Sequence, residues 1–189
     1  MDPSNHSTHT CPWWLLFLFD NPLRRMLQPP EKILQPFVRP GDTVLDVGCG
    51  MGAFSLPLAR LVGAQGQVIA ADIQPQMLAG LEQRAIQAGL IDRIRLHLCP
   101  PGKIGVTDRF DFVLAFWMVH EVQDRTAFLN EIFAVLKPGG KFLLVEPRLH
   151  VSGADFERSC ALCQKAGFRM TGGQQVRFSR AVLFTTPAE

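Results

Sequence analysis

The chain has 189 residues, of which 47% are hydrophobic and 19% are charged, and its formal net charge is +2. This composition excludes a disordered protein, which combines low hydrophobicity with high charge, and the length fits a single domain. No run of basic residues stands out, which argues against a protein that binds nucleic acid by neutralising phosphates. The five cysteines do not form the even set that small secreted domains use for disulfides, so we expect a cytoplasmic protein.

The first 30 residues predict a polar tail followed by an apolar helix. Residues 12–19 are almost wholly apolar and include Trp13, Trp14 and Phe17. This run is shorter than the ~20 residues of a membrane-spanning helix, and no signal-peptide cleavage pattern follows it. We interpret residues 1–30 as a tail and lid over a substrate pocket, and residues 31–189 as one domain. Core packing, dimerisation or docking on a membrane surface are alternatives for the apolar segment.

From residue 31 onward, short apolar runs alternate with amphipathic segments. We predict helices over 31–38, 52–62, 76–88, 124–136 and 155–165, and strands over 43–47, 67–71, 94–98, 111–116, 141–146, 168–176 and 180–185. Strands that alternate with helices indicate a parallel α/β sheet covered on both faces. No helix separates the last two strands, so we expect them to pair antiparallel.

The first predicted strand runs directly into a glycine-rich turn over residues 48–52. Glycines permit a tight turn and the close approach of a ligand, and ligands of open α/β sheets bind beyond the carboxyl ends of the strands. The pattern alone fits NAD as well as S-adenosylmethionine. Asp46, just before the first glycine, would repel a pyrophosphate but not a cationic, amino-acid-like ligand. The chain is also too short for a full dinucleotide fold with a separate substrate domain.

A second acidic residue ends the second predicted strand. Asp72 lies 20 residues after Gly52. A carboxylate in this place can accept hydrogen bonds from ribose hydroxyls, a feature that NAD enzymes share. The alternative is that Asp72 caps the following helix. Asp72 therefore supports a nucleoside ligand without choosing which one.

Taken in order, the segments 44–52, 72–73, 110–113, 119–122 and 136–142 resemble those of class I S-adenosylmethionine-dependent methyltransferases. More narrowly, they are similar to the ubiquinone/menaquinone-biosynthesis and arsenite methyltransferase type. The resemblance covers about residues 30–186. It implies a Rossmann-like, doubly wound sheet of seven strands in the order 3-2-1-4-5-7-6, with strand 7 antiparallel and helices on both faces.

The resemblance also implies a cofactor, S-adenosylmethionine, and a set of residues that would contact it. That set is Asp46, Gly48, Cys49, Gly50, Gly52, Asp72, Ile73, Met77, Cys99 and Phe116. The three glycines would wrap the methionyl part, Asp72 would bind the ribose and Ile73 would pack on the adenine. Family members often carry an acidic residue near position 99, where this chain has Cys99 and a backbone carbonyl could take over the contact. We predict no metal site.

Catalytic residues are harder to assign, because methyl transfer to a well-positioned acceptor needs little from the protein. His120 and Glu121 follow the fourth predicted strand, where the active site of such a fold lies. His120 could deprotonate an acceptor while Glu121 orients or charges it. The alternative is a structural histidine that caps the next helix. Trp117, beside the same strand end, is expected to line the substrate pocket with the aromatic residues of the lid.

The sequence thus predicts methyl transfer to a small, partly apolar acceptor by a monomer or homodimer without a membrane span or a nucleic-acid partner. The Asn/Asp-Pro-Pro-aromatic signature of enzymes that methylate base amino groups is absent. One alternative is a methyltransferase-like domain that binds the cofactor or its product as a sensor or scaffold. A nucleotide-dependent oxidoreductase is disfavoured by Asp46 and by the chain length.

Overall fold

A computed structural model of the chain describes residues 28–188. The predicted tail and apolar helix, with Trp13, Trp14 and Phe17, therefore lie outside the described residues. The helices are α1 (Pro30–Leu34), α2 (Ser55–Val62), α3 (Pro75–Gln87), α4 (Arg125–Val135) and α5 (Gly153–Lys165), with short 3-10 turns at Ile91–Arg93 and Val119–Glu121. The strands are β1 (Thr43–Val47), β2 (Gln67–Asp72), β3 (Ile94–Leu98), β4 (Phe110–Phe116), β5 (Leu136–Pro147), β6 (Arg169–Gly173) and β7 (Ser179–Thr185).

The seven strands form one sheet in the order β3-β2-β1-β4-β5-β7-β6. The strands β1 to β5 pair in parallel, whereas β7 pairs antiparallel with both β5 and β6. This confirms the predicted fold, including the antiparallel strand 7. The strand order reverses between β1 and β4, and the crevice beyond the carboxyl ends at such a point is where ligands of open α/β sheets bind.

Each face of the sheet has its own hydrophobic core. Leu45, with neighbours on β2 and β4, packs toward α4 and α5 on one face. Val44, the adjacent residue, packs toward α2 and α3 on the other face. Successive strand residues point to opposite faces, so a strand that is covered on both sides becomes a continuous apolar run. This explains why β1 and β4 are recognisable from the sequence.

Several elements begin or end where the prediction did not place them. The helix predicted from Gly52 begins at Ser55, because Gly52 has a φ of +84° and still belongs to the turn. The first helix ends at Leu34 rather than at residue 38, because Pro36 has no backbone N–H with which to continue the helical hydrogen bonds. Strand β5 begins at Leu136 and includes the Pro138-Gly139 step. Among the described helices, none has the length and apolar character needed to cross a membrane.

Candidate active site

The ends of β1, β2 and β4 bring the glycine turn, Asp72 and the segment after Phe116 to one edge of the sheet. The turn is fastened to β2, because the backbone N–H groups of Gly48 and Cys49 donate to the carbonyl of Ala71 at 2.8 and 3.1 Å. The N–H of Gly50 donates to Asp72 Oδ2 at 2.9 Å. Two motifs that the sequence placed 22 residues apart are therefore one structural unit.

The three glycines of the turn meet different surroundings. A Cβ at Gly50 would meet nothing within 4 Å, so this residue faces open space. A Cβ at Gly48 would lie 2.9 Å from Met118 Cγ, and one at Gly52 would lie 2.2 Å from Leu81 Cδ1. Gly52 thus allows the turn to pack against α3. All three have positive φ values, where residues with a side chain are strained.

Asp72 organises the carboxyl end of β2. Its Oδ2 accepts from Gly50 and its Oδ1 accepts from the N–H of Gln74 at 2.9 Å. Burial raises the pKa of Asp72, although the hydrogen bonds from Gln74 and Gly50 oppose that rise. The N-cap of α3 is Gln74, so Asp72 braces the start of the helix from outside it. Each oxygen keeps a lone pair for a further donor.

Asp46 is a buried acid, with only 2% of its surface exposed. Ser55 Oγ donates to its Oδ2 at 2.6 Å, and no donor among the described residues reaches Oδ1. Burial raises the pKa of Asp46 to about 7, against the lowering effect of Ser55. Asp46 is therefore partly protonated at neutral pH. A cationic group placed beside Asp46 would favour its ionised form.

Two large apolar side chains are exposed beside Asp72. Ile73 follows β2 and Leu98 ends β3, and each is 54% exposed. In the same region the N–H of Cys99 donates to the carbonyl of Asp72 at 2.9 Å. Burial raises the pKa of the Cys99 thiol to about 12, so it stays neutral and does not stand in for a carboxylate. Met77, another residue predicted to contact the cofactor, lies in the first turn of α3, and its side chain is only 1% exposed.

The aromatic residues at the carboxyl end of β4 link the central strands to β7. The ring of Phe116 lies 4.1 Å from that of Phe54 and 5.5 Å from that of Trp117. Trp117 has a φ of +60°, which is unusual for a bulky residue and is stored strain. Its N–H donates to Val145 at 2.8 Å and its indole Nε1 donates to Ser179 Oγ at 2.9 Å. These two bonds hold the strained backbone in place.

His120 is held by a buried carboxylate that the sequence analysis did not single out. Its Nδ1 lies 2.6 Å from Glu146 Oε2, and its backbone N–H donates to Glu146 Oε1 at 3.0 Å. A carboxylate only accepts, so Nδ1 carries the proton and Nε2 of the neutral ring is left as the acceptor. The expected partner, Glu121, places Oε1 at 3.9 Å from Nε2. Glu146 is therefore the residue that fixes the orientation of the imidazole.

The environment of His120 favours its charged form. Burial lowers its pKa, but the hydrogen bond and the charge of Glu146, together with Glu121, outweigh burial and raise the pKa overall. The expected alternative, that His120 caps the next helix, does not match the structure. Asp124 is the N-cap of α4, and its side chain accepts from the N–H of Ala127. A lone carboxylate at the end of the apolar run of β5 was the sequence signal for Glu146.

Comparison with known proteins agrees with this architecture. The sequence model of a family described as "Methyltransferase domain" matches residues 39–177. The chain belongs to this methyltransferase family. The expected resemblance to class I S-adenosylmethionine-dependent methyltransferases is thereby confirmed.

Individual relatives point in the same direction. The chain is 38% identical over 117 residues to the demethylmenaquinone methyltransferase of Symbiobacterium thermophilum, covering 61% of this chain and 47% of that protein. It is 38% identical over 110 residues to the ubiquinone/menaquinone biosynthesis C-methyltransferase UbiE of Cellvibrio japonicus, covering 58% and 44%. The chain thus spans about half the length of these curated relatives. A crystal structure of a SAM-dependent methyltransferase from Aquifex aeolicus superposes with a TM-score of 0.83 at 26% identity, covering 93% of this chain and 99% of that one.

The described residues fit the cofactor that such a family implies. Open space at Gly50 admits a ligand against the backbone. Asp46 Oδ1 has no donor within the described part of the chain and suits a cationic group, and the remaining lone pairs of Asp72 suit hydroxyl donors. The exposed side chains of Ile73 and Leu98 suit a flat apolar ring. A nucleoside that carries a cationic amino-acid arm has these three features together.

Proposed function

We propose that this chain is a cytoplasmic S-adenosylmethionine-dependent methyltransferase that acts on a small, partly apolar acceptor. One observation favours catalysis over a role in binding only. His120 pairs with the buried Glu146 at the edge of the sheet where the parallel strands end, which is also the edge that carries the glycine turn. A domain that only binds the cofactor has no use for an imidazole whose tautomer is fixed in this way. The buried free cysteines fit a reducing compartment.

In this proposal the cofactor is held at the ends of β1 and β2. Gly50 lies against the methionyl part, Asp46 receives the cationic group, and Asp72 accepts from the ribose. Ile73 packs on the adenine, and Phe116 lies beside the reactive end. When bound, S-adenosylmethionine supplies an activated methyl group. The remaining predicted contacts, Gly48, Gly52, Cys49, Cys99 and Met77, would then support the shape of the site, since four of the five are buried.

The chain's own contribution to the chemistry is the control of one proton. Glu146 holds Nδ1–H, so Nε2 of neutral His120 faces away from it as a base. Nε2 accepts the proton that a hydroxyl, amine or activated carbon acid of the acceptor gives up. The imidazolium that results is stabilised by Glu146 and Glu121, which is the physical meaning of the raised pKa of His120. Trp117 supplies an apolar wall for the acceptor, and the lid of Trp13, Trp14 and Phe17 remains a prediction.

Thermal unfolding with separate titrations of S-adenosylhomocysteine, S-adenosylmethionine and NADH tests cofactor binding. At 100 times its dissociation constant a ligand adds ~2.7 kcal/mol, which for a chain of this length is a shift of roughly 5–10 °C. We expect a rise with the two sulfur compounds only. A rise with NADH alone would contradict the proposal.

Catalysis is tested by the transfer of a radiolabelled methyl group to a panel of phenols, hydroxyquinones and aromatic amines. We expect His120→Ala to keep the thermal shift with S-adenosylhomocysteine and to lose turnover by about 10²–10⁴-fold. His150→Ala is the matched control, because the rings of the two histidines are 6.3 Å apart and His150 is exposed. Cofactor binding without product from any acceptor would favour the sensor or scaffold alternative.

A further inference from the structure

A cavity of about 870 Å³ lies between the start of α1 and the strand β7 with the segment before it. Four of the residues that line it are basic, namely Lys32, Arg148, Arg177 and Arg180, and none is acidic. We call it the arginine cavity. The whole chain has a net charge of only +2, so four positive charges around one cavity are not a general excess.

The three arginines of this cavity contact only neutral groups among the described residues. Arg148 Nε donates to the carbonyl of Ser179 at 3.0 Å, and Arg180 Nη1 donates to the carbonyl of Val151 at 2.8 Å. The guanidinium carbon of Arg177 lies 5.0 Å from the centre of the Phe178 ring. Part of each guanidinium therefore has no partner within residues 28–188 and can bind an oxyanion, which its planar fork of N–H groups matches.

Basic residues elsewhere show that this chain does provide carboxylate partners. Lys137 pairs with Asp111 at 2.7 Å and Arg60 pairs with Glu31 at 3.5 Å. Glu146 stands opposite Arg180 in the β5–β7 register, but both of its oxygens accept from His120. No carboxylate among the described residues forms an ion pair with the cations of the arginine cavity, and like charges that share a cavity attract an anion into it.

The arginine cavity also borders the proposed active site. Ser179 lines it, and the Ser179 hydroxyl accepts from the indole of Trp117. Apolar side chains complete the lining, among them Ile33, Phe156 and Val176. A ligand that fills it would present an anionic group to the arginines and an apolar body to these residues, next to the strand ends where the acceptor is expected.

We propose that the arginine cavity binds a carboxylate or phosphate group of the acceptor, so that the acceptor is an apolar acid. This inference rests on the proposed function and narrows its substrate class. The basic residues of the arginine cavity, rather than His120 and Glu146, would then select acids over neutral molecules of the same shape. Removing one or two of these charges would weaken binding of the acid without changing binding of the cofactor.

The test measures thermal unfolding with inorganic phosphate and with 1-naphthoate, each against potassium chloride at equal ionic strength, with 1-naphthamide as the uncharged match. We expect a saturable rise with at least one anion and none with the amide. Lys32→Gln combined with Arg177→Gln removes two charges and no hydrogen bond to a described residue. This double variant should raise the apparent dissociation constant for the anion about tenfold or more, as should Arg148→Gln. Arg169→Gln, on the exposed strand β6, is the control and should respond like the wild type.

The inference is overturned if neither anion raises the melting temperature more than chloride, or if the double variant responds like the wild type. S-adenosylhomocysteine is titrated into the same samples. If S-adenosylhomocysteine binds but no anion does, the anion site is wrong and the methyltransferase proposal stands. If an anion binds but S-adenosylhomocysteine does not, the methyltransferase proposal is wrong. A further outcome is that the protein co-sediments with phosphatidylglycerol but not phosphatidylcholine vesicles, that the double variant does not, and that soluble anions have no effect. This result would assign the arginines to a lipid headgroup and overturn the acceptor site.

Discussion

Replacing Asp46 with asparagine should stabilise the ligand-free protein and weaken cofactor binding at the same time. Asp46 is buried, and that burial raises its pKa from 3.8 to about 7. Asparagine has the shape of the protonated acid, and its carbonyl can still accept the hydrogen bond from Ser55. The substitution removes the cost of ionising a buried carboxyl while it keeps the local packing.

The expected size of the effect follows from the two pKa values. Because the pKa is raised in the folded state, the stability linked to Asp46 is fully present below about pH 4. It is lost as the pH rises to about 7, which is opposite to the usual behaviour of an aspartate. From a pKa of 3.8 unfolded and about 7 folded, this cost is roughly 2 kcal/mol at pH 5 and roughly 4 kcal/mol at pH 8. The gain from Asp46→Asn should therefore grow by roughly 2–3 kcal/mol between these pH values.

The assay is urea unfolding of the wild type and of Asp46→Asn at both pH values, with the exposed Asp92→Asn as a control for the loss of one charge. The stability difference between Asp46→Asn and the wild type should increase with pH, whereas that of Asp92→Asn should stay nearly constant. S-adenosylhomocysteine should stabilise Asp46→Asn less than the wild type, because the cationic amino group of the ligand no longer meets a carboxylate at position 46. A pH-independent difference would refute the reasoning, because it would mean that Asp46 ionises normally in the folded protein.

The remaining predictions concern the proton acceptor and the glycine turn. Glu146 raises the pKa of His120, and a base acts only when neutral, so methylation of a proton-bearing acceptor should increase with pH. Glu146→Gln should shift the midpoint of that pH–rate profile to lower pH and reduce the plateau rate. Gly52→Ala should destabilise the protein by roughly 2–5 kcal/mol in urea unfolding, from the positive φ and the 2.2 Å contact with Leu81. Gly50→Ala has no such contact and should cost only ~1–2 kcal/mol in the same assay, but it should weaken S-adenosylhomocysteine binding more than its stability loss would suggest.

The fold, and the meeting of the glycine turn with Asp72 at one edge of the sheet, were predictable because their signals are local. The central strands are covered on both faces, so they appear in the sequence as continuous apolar runs between turns. The absence of a helix between the last two strands was enough to predict their antiparallel pairing. Gly50 lies just after the end of β1 and Asp72 is the last residue of β2, and the ends of adjacent parallel strands meet at one edge. Helix limits were less accurate because single residues such as Pro36 decide them.

Side-chain partners that come from distant segments were decided by the tertiary structure. His120 was predicted as a candidate base, but its partner Glu146 is 26 residues away and reaches it only because β4 and β5 pair side by side. The raised pKa of Asp46 likewise depends on how completely the helices cover β1.

The sequence by itself determined the order and type of the elements and the place of the glycine turn, because these depend on hydrophobic period and on backbone freedom within a few residues. The tertiary structure alone decided which charged side chains lie close together. Lys32, Arg148 and the pair of Arg177 and Arg180 come from three widely separated segments of the chain, yet they line one cavity. Electrostatic effects depend on distance and burial, and neither quantity is written in a linear sequence.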